Sequence, residues 1–314
     1  MRSPRNHPVL SIIVCTYNRA AILLECMESL ACQSVDSDNY EVLIIDNNST
    51  DETRASAAQF ISKNKNFMLF SEPLQGLSHA RNRGWRESRT EWIAYVDDDA
   101  KAPRNFVEQI LSVIDRHGFD CFGGRYVPWY KYGKPPWYKD EYGSSALNQT
   151  RAGILEKGYL SGGVMVFKKS VLVQFGGFPH FLGMKGDVIS YGEETYLQAQ
   201  LRGSGCRIGY DPDLVIEHLV PAYKMRVGWF LFSSFSRGKV SWISVGKHPT
   251  LNNFYGLFKI MFYDAARTLA PCTTKLLRDD YYWENWVIEV VGPQVKNIGI
   301  LIGGMNTMLC KSKH

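Results

Sequence analysis

Residues 92–100 read WIAYVDDDA, a short apolar run that passes directly into three consecutive aspartates. Runs of this length and composition are typical of strands buried on both faces of a sheet. Three adjacent carboxylates repel one another, and their simplest use is to hold a hard divalent cation, which prefers oxygen ligands. The alternative is a solvated acidic loop or a helix cap, so the interpretation depends on what else the fold brings to the end of this strand.

Working outward, three further apolar runs precede this strand and one helix follows it. The runs predict strands at Leu10–Cys15, Tyr40–Ile45 and Phe67–Phe70. Helical spacing or a helix start signal predicts helices around Ile22–Leu30, from about Asp51 behind a capping-box pattern of Ser49 and Glu52, over Leu77–Ser88, and over Phe106–Ile114. Strands that alternate with helices predict an α/β fold with a mostly parallel, doubly wound sheet.

Polar clusters follow three of these strands at the edge where such sheets bind ligands. They are Thr16-Tyr17-Asn18-Arg19, Asp46-Asn47-Asn48 and Asp97-Asp98-Asp99. Their convergence makes this edge the expected active site and favours a cation site at the aspartates. The chain has neither a G-x-G-x-x-G nor a P-loop motif, so bound phosphates would be neutralised by a metal and by arginines such as Arg81.

Two later features add candidate residues. Gly192-Glu193-Glu194-Thr195 precedes a helical pattern, and acidic residues there either complement the helix dipole or supply a general base. His218 closes the apolar strand Leu214–Ile216, where a lone histidine is either a packed residue or a ligand.

The ordered motifs of the chain resemble those of the family-2 glycosyltransferases, which have the GT-A fold, a Rossmann-like sheet flanked by helices. The likeness covers about residues 8–222 and rests on SIIVCTYNR, VLIIDNNSTDET, GLSHARNRGW, WIAYVDDDA, YLSGGVMVFKKSVLVQFGGF, YGEETYL and YDPDLVIEHLVP. The resemblance implies a metal-dependent, inverting transfer from a nucleotide-diphosphate sugar, with a UDP-sugar favoured, and Mg²⁺ or Mn²⁺ as cofactor. It also implies a carbohydrate or lipid-linked acceptor, in cell-surface polysaccharide or glycolipid synthesis.

The same resemblance assigns roles to individual residues. The residues expected to bind the donor are Thr16, Tyr17, Arg19, Asp46, Arg81, Asp97, Asp98, Gly162 and Gly163. Asp99 is the expected metal ligand, together with Asp97 and His218. Many members have glutamate-aspartate where this chain has Glu193-Glu194, and the second position is usually the base. We therefore expect Glu194 to be the base, although the substitution leaves open which glutamate faces the acceptor.

The composition of the chain changes near residue 220. From Leu219 onward there are 12 Lys or Arg, 5 Asp or Glu and 15 aromatic residues, a net charge of +7, against +5 for the whole chain. We expect a catalytic domain at 1–222, with a donor half at 8–126 and an acceptor half at 127–222, and a helical region at 223–314. The basic, aromatic C-terminal region is predicted to lie on an anionic membrane surface, or alternatively to form a helical cap or a dimer contact.

The segment from Tyr126 to Lys157 is rich in aromatic residues and proline and includes Trp129 and Trp137. Aromatic faces stack on sugar rings, so we expect an acceptor-binding loop here. The alternative is a surface lid packed on its own aromatic side chains.

Several classes of protein are disfavoured. Hydrophobic residues make up 45% and charged residues 21%, typical of a globular protein, and the small positive charge does not indicate nucleic-acid binding. Seven scattered cysteines without a CxxC predict a reducing, cytoplasmic setting, with a peripheral position on the inner face of the membrane as an extension. The apolar run 297–310 is short for a membrane span, and the first residues do not resemble a signal peptide. The competing functions are a nucleotidyltransferase and a non-catalytic sugar-binding protein on the same scaffold.

Overall fold

The computed structural model describes residues 8–311, with residues 146 and 187 excepted. These residues form two compact units. The first unit contains the described residues up to Trp129, together with Gly143–Val188 and Glu193–Leu219. The second contains Tyr130–Tyr142, Ile189–Gly192 and the described residues from Val220 onward.

The first unit is a sheet flanked by helices, as predicted. Its strands are β1 (Leu10–Thr16), β2 (Tyr40–Asp46), β3 (Phe67–Ser71), β4 (Trp92–Asp97), β5 (Ala100–Lys101), β6 (Cys121–Trp129), β7 (Gly153–Ile154), β8 (Val164–Lys168) and β9 (Ile208–Leu219). Its helices are α1 (Ala20–Ala31), α2 (Thr53–Ile61), α3 (Leu77–Glu87), α4 (Phe106–Arg116), α5 (Lys169–Phe175) and α6 (Glu193–Gly203).

The sheet is parallel in its first half and mixed in its second. The strand order is β3-β2-β1-β4-β8-β6-β9-β5, with β7 paired to β9. The first four of these strands are parallel, because helices connect them, whereas β8 runs antiparallel to β4 and to β6. Thr16 lies opposite Asp46 and Cys15 lies opposite Asp97, so the ends of β1, β2 and β4 meet at one edge.

The continuous apolar character of the strands reflects burial on both faces of the sheet. Ile12 and Val14 of β1 belong to a core cluster that includes side chains of α1 and α4. Ile13 belongs to a cluster on the other face, with Ala80 and Trp85 of α3. All three β1 side chains are fully buried, which explains why the strand has no polar alternation.

The predicted capping box of Ser49 and Glu52 is wrong. Helix α2 begins at Thr53, and Glu52 makes no side-chain capping bond. The Ser49 hydroxyl instead accepts a hydrogen bond from the backbone N–H of Asn18, at 3.0 Å. The Thr50 N–H donates to the side-chain oxygen of Asn18, at 2.8 Å. Ser49, which the sequence pattern assigns to the start of the helix, therefore bonds the loop after β1 instead.

The second unit is helical. Its helices are α7 (Val227–Ser244), α8 (Leu251–Lys275), α9 (Trp283–Trp286) and α10 (Gly292–Lys311), with a π-helical turn at Val287–Val291. Helices α7 and α10 can approach closely because glycines lie at their contact. A Cβ at Gly238, Gly299 or Gly303 would collide with the backbone of the facing helix. Within the part of the chain that the structure describes, no helix has the length and apolar character to cross a membrane.

Glu289, in the π-helical turn, fastens the segment Tyr130–Tyr142 to the helices of the second unit. Its carboxylate accepts hydrogen bonds from Lys139 at 2.6 Å, Tyr142 at 3.2 Å and Tyr281 at 3.1 Å. Partial burial would raise the pKa of Glu289, but the hydrogen bond and charge of Lys139 outweigh it, and the pKa is lowered to about 2. The Glu289 carboxylate is therefore ionised at neutral pH and attracts the Lys139 ammonium group of the segment Tyr130–Tyr142.

We expect Glu289→Gln to lower the free energy of unfolding of the second unit by about 2 kcal/mol, because it removes a charge-assisted network. The folded-state pKa lies below the ordinary value of 4.5, so this stabilisation is present above that pH and is lost as the pH falls toward 2. Urea unfolding followed by tryptophan fluorescence at several pH values measures it.

The matched control is Asp280→Asn, whose ion pair with Arg278 is exposed to solvent. Exposed pairs contribute little, so the control should leave the urea midpoint unchanged. Equal losses in the two variants would contradict the role assigned to Glu289.

Candidate active site

The three aspartates lie at the end of β4, where the chain turns into β5. Asp98 and Asp99 are buried and the Asp97 side chain is one-third exposed. Burial raises the pKa of Asp98 to about 7, Arg19 opposes the rise, and the charges of Asp99 and Asp97 add to it. Crowded, buried carboxylates repel one another, and a bound cation would stabilise them.

His218 of β9 faces these aspartates although it is far from them in sequence. It pairs with Ala100 across β5 and β9. Its Nε2 lies 3.1 Å from Asp99 Oδ1 and 3.5 Å from Asp97 Oδ2, and its Nδ1 lies 3.0 Å from the Leu219 carbonyl. A carbonyl only accepts hydrogen bonds, so Nδ1 carries a proton and Nε2 faces the carboxylates. Histidines that ligate metals are commonly oriented by such a bond on the other ring nitrogen.

Asp97, Asp99 and His218 fit a divalent metal ion. One ligand atom from each residue lies within 4.8 Å of the other two. Carboxylates suit Mg²⁺ and Mn²⁺, and an imidazole shifts the preference toward a transition metal such as Mn²⁺. This cluster could therefore hold the Mg²⁺ or Mn²⁺ that the resemblance implies, and metal binding here stays a prediction.

Arg81, on α3, is a buried bridge beneath these aspartates. Its Nη1 lies 2.6 Å from Glu193 Oε1, and its Nη2 lies 3.8 Å from Asp97 Oδ1. The guanidinium also lies over the ring of Phe178, with its carbon 5.2 Å from the ring centroid. Only 3% of Arg81 is exposed, and its contacts join the end of β4 to the start of α6.

The two glutamates at the start of α6 have different surroundings. Glu193 is buried and its carboxylate is paired with Arg81. Glu194 is half-buried. Burial and the neighbouring charge of Glu193 raise the pKa of Glu194 to about 8, and Arg81 opposes this rise. The structure thus distinguishes a glutamate paired with Arg81 from one whose pKa is raised, a distinction that the sequence leaves open.

Gly162 and Gly163 lie against the charged residues of the site. A Cβ at Gly162 would lie 2.8 Å from Arg81 Nη2, and one at Gly163 would lie 2.8 Å from Asp97 Oδ2. Gln198 of α6 holds this turn, since its side chain accepts from the Leu160 N–H at 2.7 Å and donates to the Leu160 carbonyl at 3.1 Å. Sequence reasoning missed Gln198, because a single glutamine in a helical pattern carries no signal.

The residues predicted around the nucleotide lie at the same edge of the sheet. Thr16 and Asp46 are buried and lie opposite each other across β1 and β2. Asp46 accepts a hydrogen bond from the Ser49 N–H at 3.1 Å. Tyr17 is half-buried, and Arg19 Nη1 lies 3.0 Å from Asp99 Oδ2. The three clusters that the sequence predicts to converge are thus brought together, and their part in donor binding stays a prediction.

The two tryptophans predicted to contact an acceptor lie in different units. Trp129 ends β6 in the first unit, and the Lys101 amine lies 3.6 Å from the centroid of its ring. Trp137 belongs to the second unit, where its ring contacts Tyr138, Tyr142 and Phe230. Trp137 is therefore part of an aromatic cluster, as the alternative of a packed lid describes, and contact of either ring with an acceptor stays a prediction.

Comparisons with known proteins point to one family. The family model described as glycosyl transferase family 2 matches residues 11–176. The chain is 29% identical over 182 residues to the glycosyltransferase AglE of Haloferax volcanii, covering 58% of this chain and 59% of that relative. It is 24% identical over 242 residues to the glucosyl-dolichyl phosphate glucuronosyltransferase of the same organism, covering 73% and 75%.

A solved structure supports the fold. The mannosyltransferase PcManGT of Pyrobaculum calidifontis, in complex with GDP-Man and Mn²⁺, aligns with a TM-score of 0.62 and 20% identity over 93% of this chain and 87% of that one. This likeness confirms the predicted GT-A fold. Glu193, Glu194 and His218 lie beyond the residues that the family model matches, so their placement rests on the geometry described above.

We expect Asp99→Asn and His218→Ala each to weaken Mn²⁺ binding by at least about tenfold, because each removes one of three clustered ligand atoms. Isothermal titration with Mn²⁺ alone measures this. The control is Asp213→Asn, an exposed carboxylate on the same strand as His218, which should leave the affinity unchanged. Wild-type affinity in both site variants would show that the metal does not bind here.

Proposed function

The chain belongs to glycosyl transferase family 2, and we propose that it transfers a sugar, with inversion and with a divalent metal, from a nucleoside-diphosphate sugar to an acceptor hydroxyl. The observation that carries this proposal is the connection of Asp97, through buried Arg81, to Glu193, which precedes Glu194 at the start of α6. The Arg81 guanidinium thus lies between the candidate metal site at Asp97 and the start of α6, where the candidate base is located.

Asp97, Asp99 and His218 would hold Mn²⁺ or Mg²⁺. When bound, such an ion acts as a Lewis acid that neutralises charge growing on the leaving diphosphate. Arg19 is the arginine better placed to contact that diphosphate, since its side chain is 35% exposed whereas that of Arg81 is 4% exposed. Arg81 then positions Asp97 and Glu193.

Glu194 is the general base in this proposal. The acceptor oxygen forms a bond to the anomeric carbon as the bond to the diphosphate oxygen breaks on the opposite face, so the configuration inverts. A hydroxyl is too weak an acid to ionise first, so its proton passes to Glu194 as the new bond forms. A pKa of about 8 is close to the working pH, where general bases are most effective. Glu193 is unsuited to this task because its carboxylate is paired with Arg81.

The donor and acceptor are proposed by class. We favour a UDP-sugar, and a GDP-sugar is the competing donor because the solved neighbour holds GDP-Man. The acceptor is a carbohydrate, and a lipid-linked sugar is the favoured form, since one relative is named for action on glucosyl-dolichyl phosphate. Such a reaction belongs to the assembly of cell-surface polysaccharide or glycolipid.

Thermal stability measured with UDP, GDP and their sugars, each with and without Mn²⁺, tests the donor. We expect the true donor to stabilise the protein by about 2.7 kcal/mol at 100 times its Kd, and only with metal present. Acceptor-dependent release of the nucleoside diphosphate then tests transfer. Release of pyrophosphate would indicate a nucleotidyltransferase, and donor binding without turnover would favour a sugar-binding protein.

We expect Glu194→Gln to reduce kcat by about 10²–10⁴-fold with little change in donor Kd, because the amide cannot accept the proton. In the wild type, kcat/KM should rise as the pH increases through about 8, since the base must be ionised, and this limb should be absent from the variant. Steady-state kinetics from pH 6 to about 9 and donor titration measure both. Normal turnover by Glu194→Gln would exclude it as the base.

A further inference from the structure

Helix α8 carries an apolar stripe on the side that faces solvent. The stripe consists of Leu251, Tyr255, Phe258, Phe262 and Leu269, which are 77%, 65%, 56%, 79% and 51% exposed. Their spacing of three, four and seven residues places them on one side of the helix. Continuous exposed apolar surface of this kind marks an interaction site in a soluble protein.

The stripe is separate from the side through which α8 packs on its own unit. Leu257 and Cys272 are buried, and they lie on a different side of the helix from the stripe. The Met261 carbonyl, on the packed side, accepts a hydrogen bond from Gln294 of α10 at 3.2 Å. The stripe therefore takes no part in the packing of the second unit, and its exposed aromatic rings are free to contact a binding partner.

A lysine flanks the stripe, and the region that contains α8 is basic. Lys259 lies beside it, with its amine 4.4 Å from the centroid of the Tyr255 ring, whereas Arg267 lies on the opposite side of the helix. Asp264 is the single acidic residue of α8, and it is half-buried. The sequence from Leu219 onward has a net charge of +7. Aromatic and aliphatic side chains with flanking lysine and arginine are typical of helices that lie in the interface of an anionic bilayer.

We propose that α8 docks this protein on an anionic lipid surface, with the stripe in the boundary between headgroups and acyl chains. Lys259, at the edge of the stripe, then meets the lipid phosphates. A second copy of the chain is the less favourable occupant, because a symmetric contact brings the same basic residues of both copies together. The proposal goes beyond sugar transfer and does not depend on it.

Flotation of the full chain with vesicles tests the proposal. We expect binding to phosphatidylcholine vesicles that contain phosphatidylglycerol, weaker binding to phosphatidylcholine alone, and loss of the difference at high salt. Phe262→Ser should lower the partition coefficient by about tenfold, because it removes a large apolar side chain from the interface. Lys259→Gln should lower binding to the anionic vesicles by about fivefold and leave binding to neutral vesicles unchanged.

The matched control is Ile260→Ser, which alters a side chain of the same helix that is 52% exposed and lies opposite the stripe. It should bind vesicles as the wild type does, and circular dichroism checks that each variant is folded. Failure of the wild type to bind anionic vesicles, or equal losses for Phe262→Ser and Ile260→Ser, would overturn the proposal. Light scattering that shows a dimer abolished by Phe262→Ser, without vesicle binding, would assign the stripe to a second copy instead.

Discussion

Arg81 places a positive charge in the interior of the first unit, with Glu193 at 2.6 Å and Asp97 at 3.8 Å. A buried charge is tolerated only when it is paired, and removal of one partner of such a pair typically costs about 3–5 kcal/mol. Burial would lower the pKa of Arg81, but the charges of Glu193 and Asp97 outweigh it and raise the pKa. The positions of α3, the end of β4 and the start of α6 are therefore tied to one guanidinium.

This bridge gives the two glutamates different properties. Glu193 is paired with Arg81, whereas burial, together with the neighbouring charge of Glu193, raises the pKa of Glu194 to about 8. A pair of adjacent, chemically identical residues thus becomes one positioning residue and one candidate base. The same electrostatic logic applies to the aspartates, where His218 and Arg19 face carboxylates that would otherwise repel one another.

The two units achieve order in different ways. In the first, apolar strands are buried on both faces, and polar side chains gather where the strands end. In the second, glycines allow helices to approach, and Glu289 fastens an aromatic segment to them. The second unit leaves the apolar stripe of α8 exposed, and the proposal of docking on a lipid surface rests on this exposure.

The sequence by itself determined the strands of the parallel half, because strands buried on both faces consist of continuous apolar residues. The alternation of these strands with helices then determined the α/β class and the convergence of three polar clusters at one edge. It did not determine contacts between residues far apart in the chain. The pairing of Arg81 with Glu193 and the hydrogen bonds of Gln198 with Leu160 each join elements that are distant in sequence. Only the tertiary structure decided these, as it decided that Ser49 bonds Asn18 rather than capping α2, because packing selects among hydrogen-bond partners that a local pattern cannot distinguish.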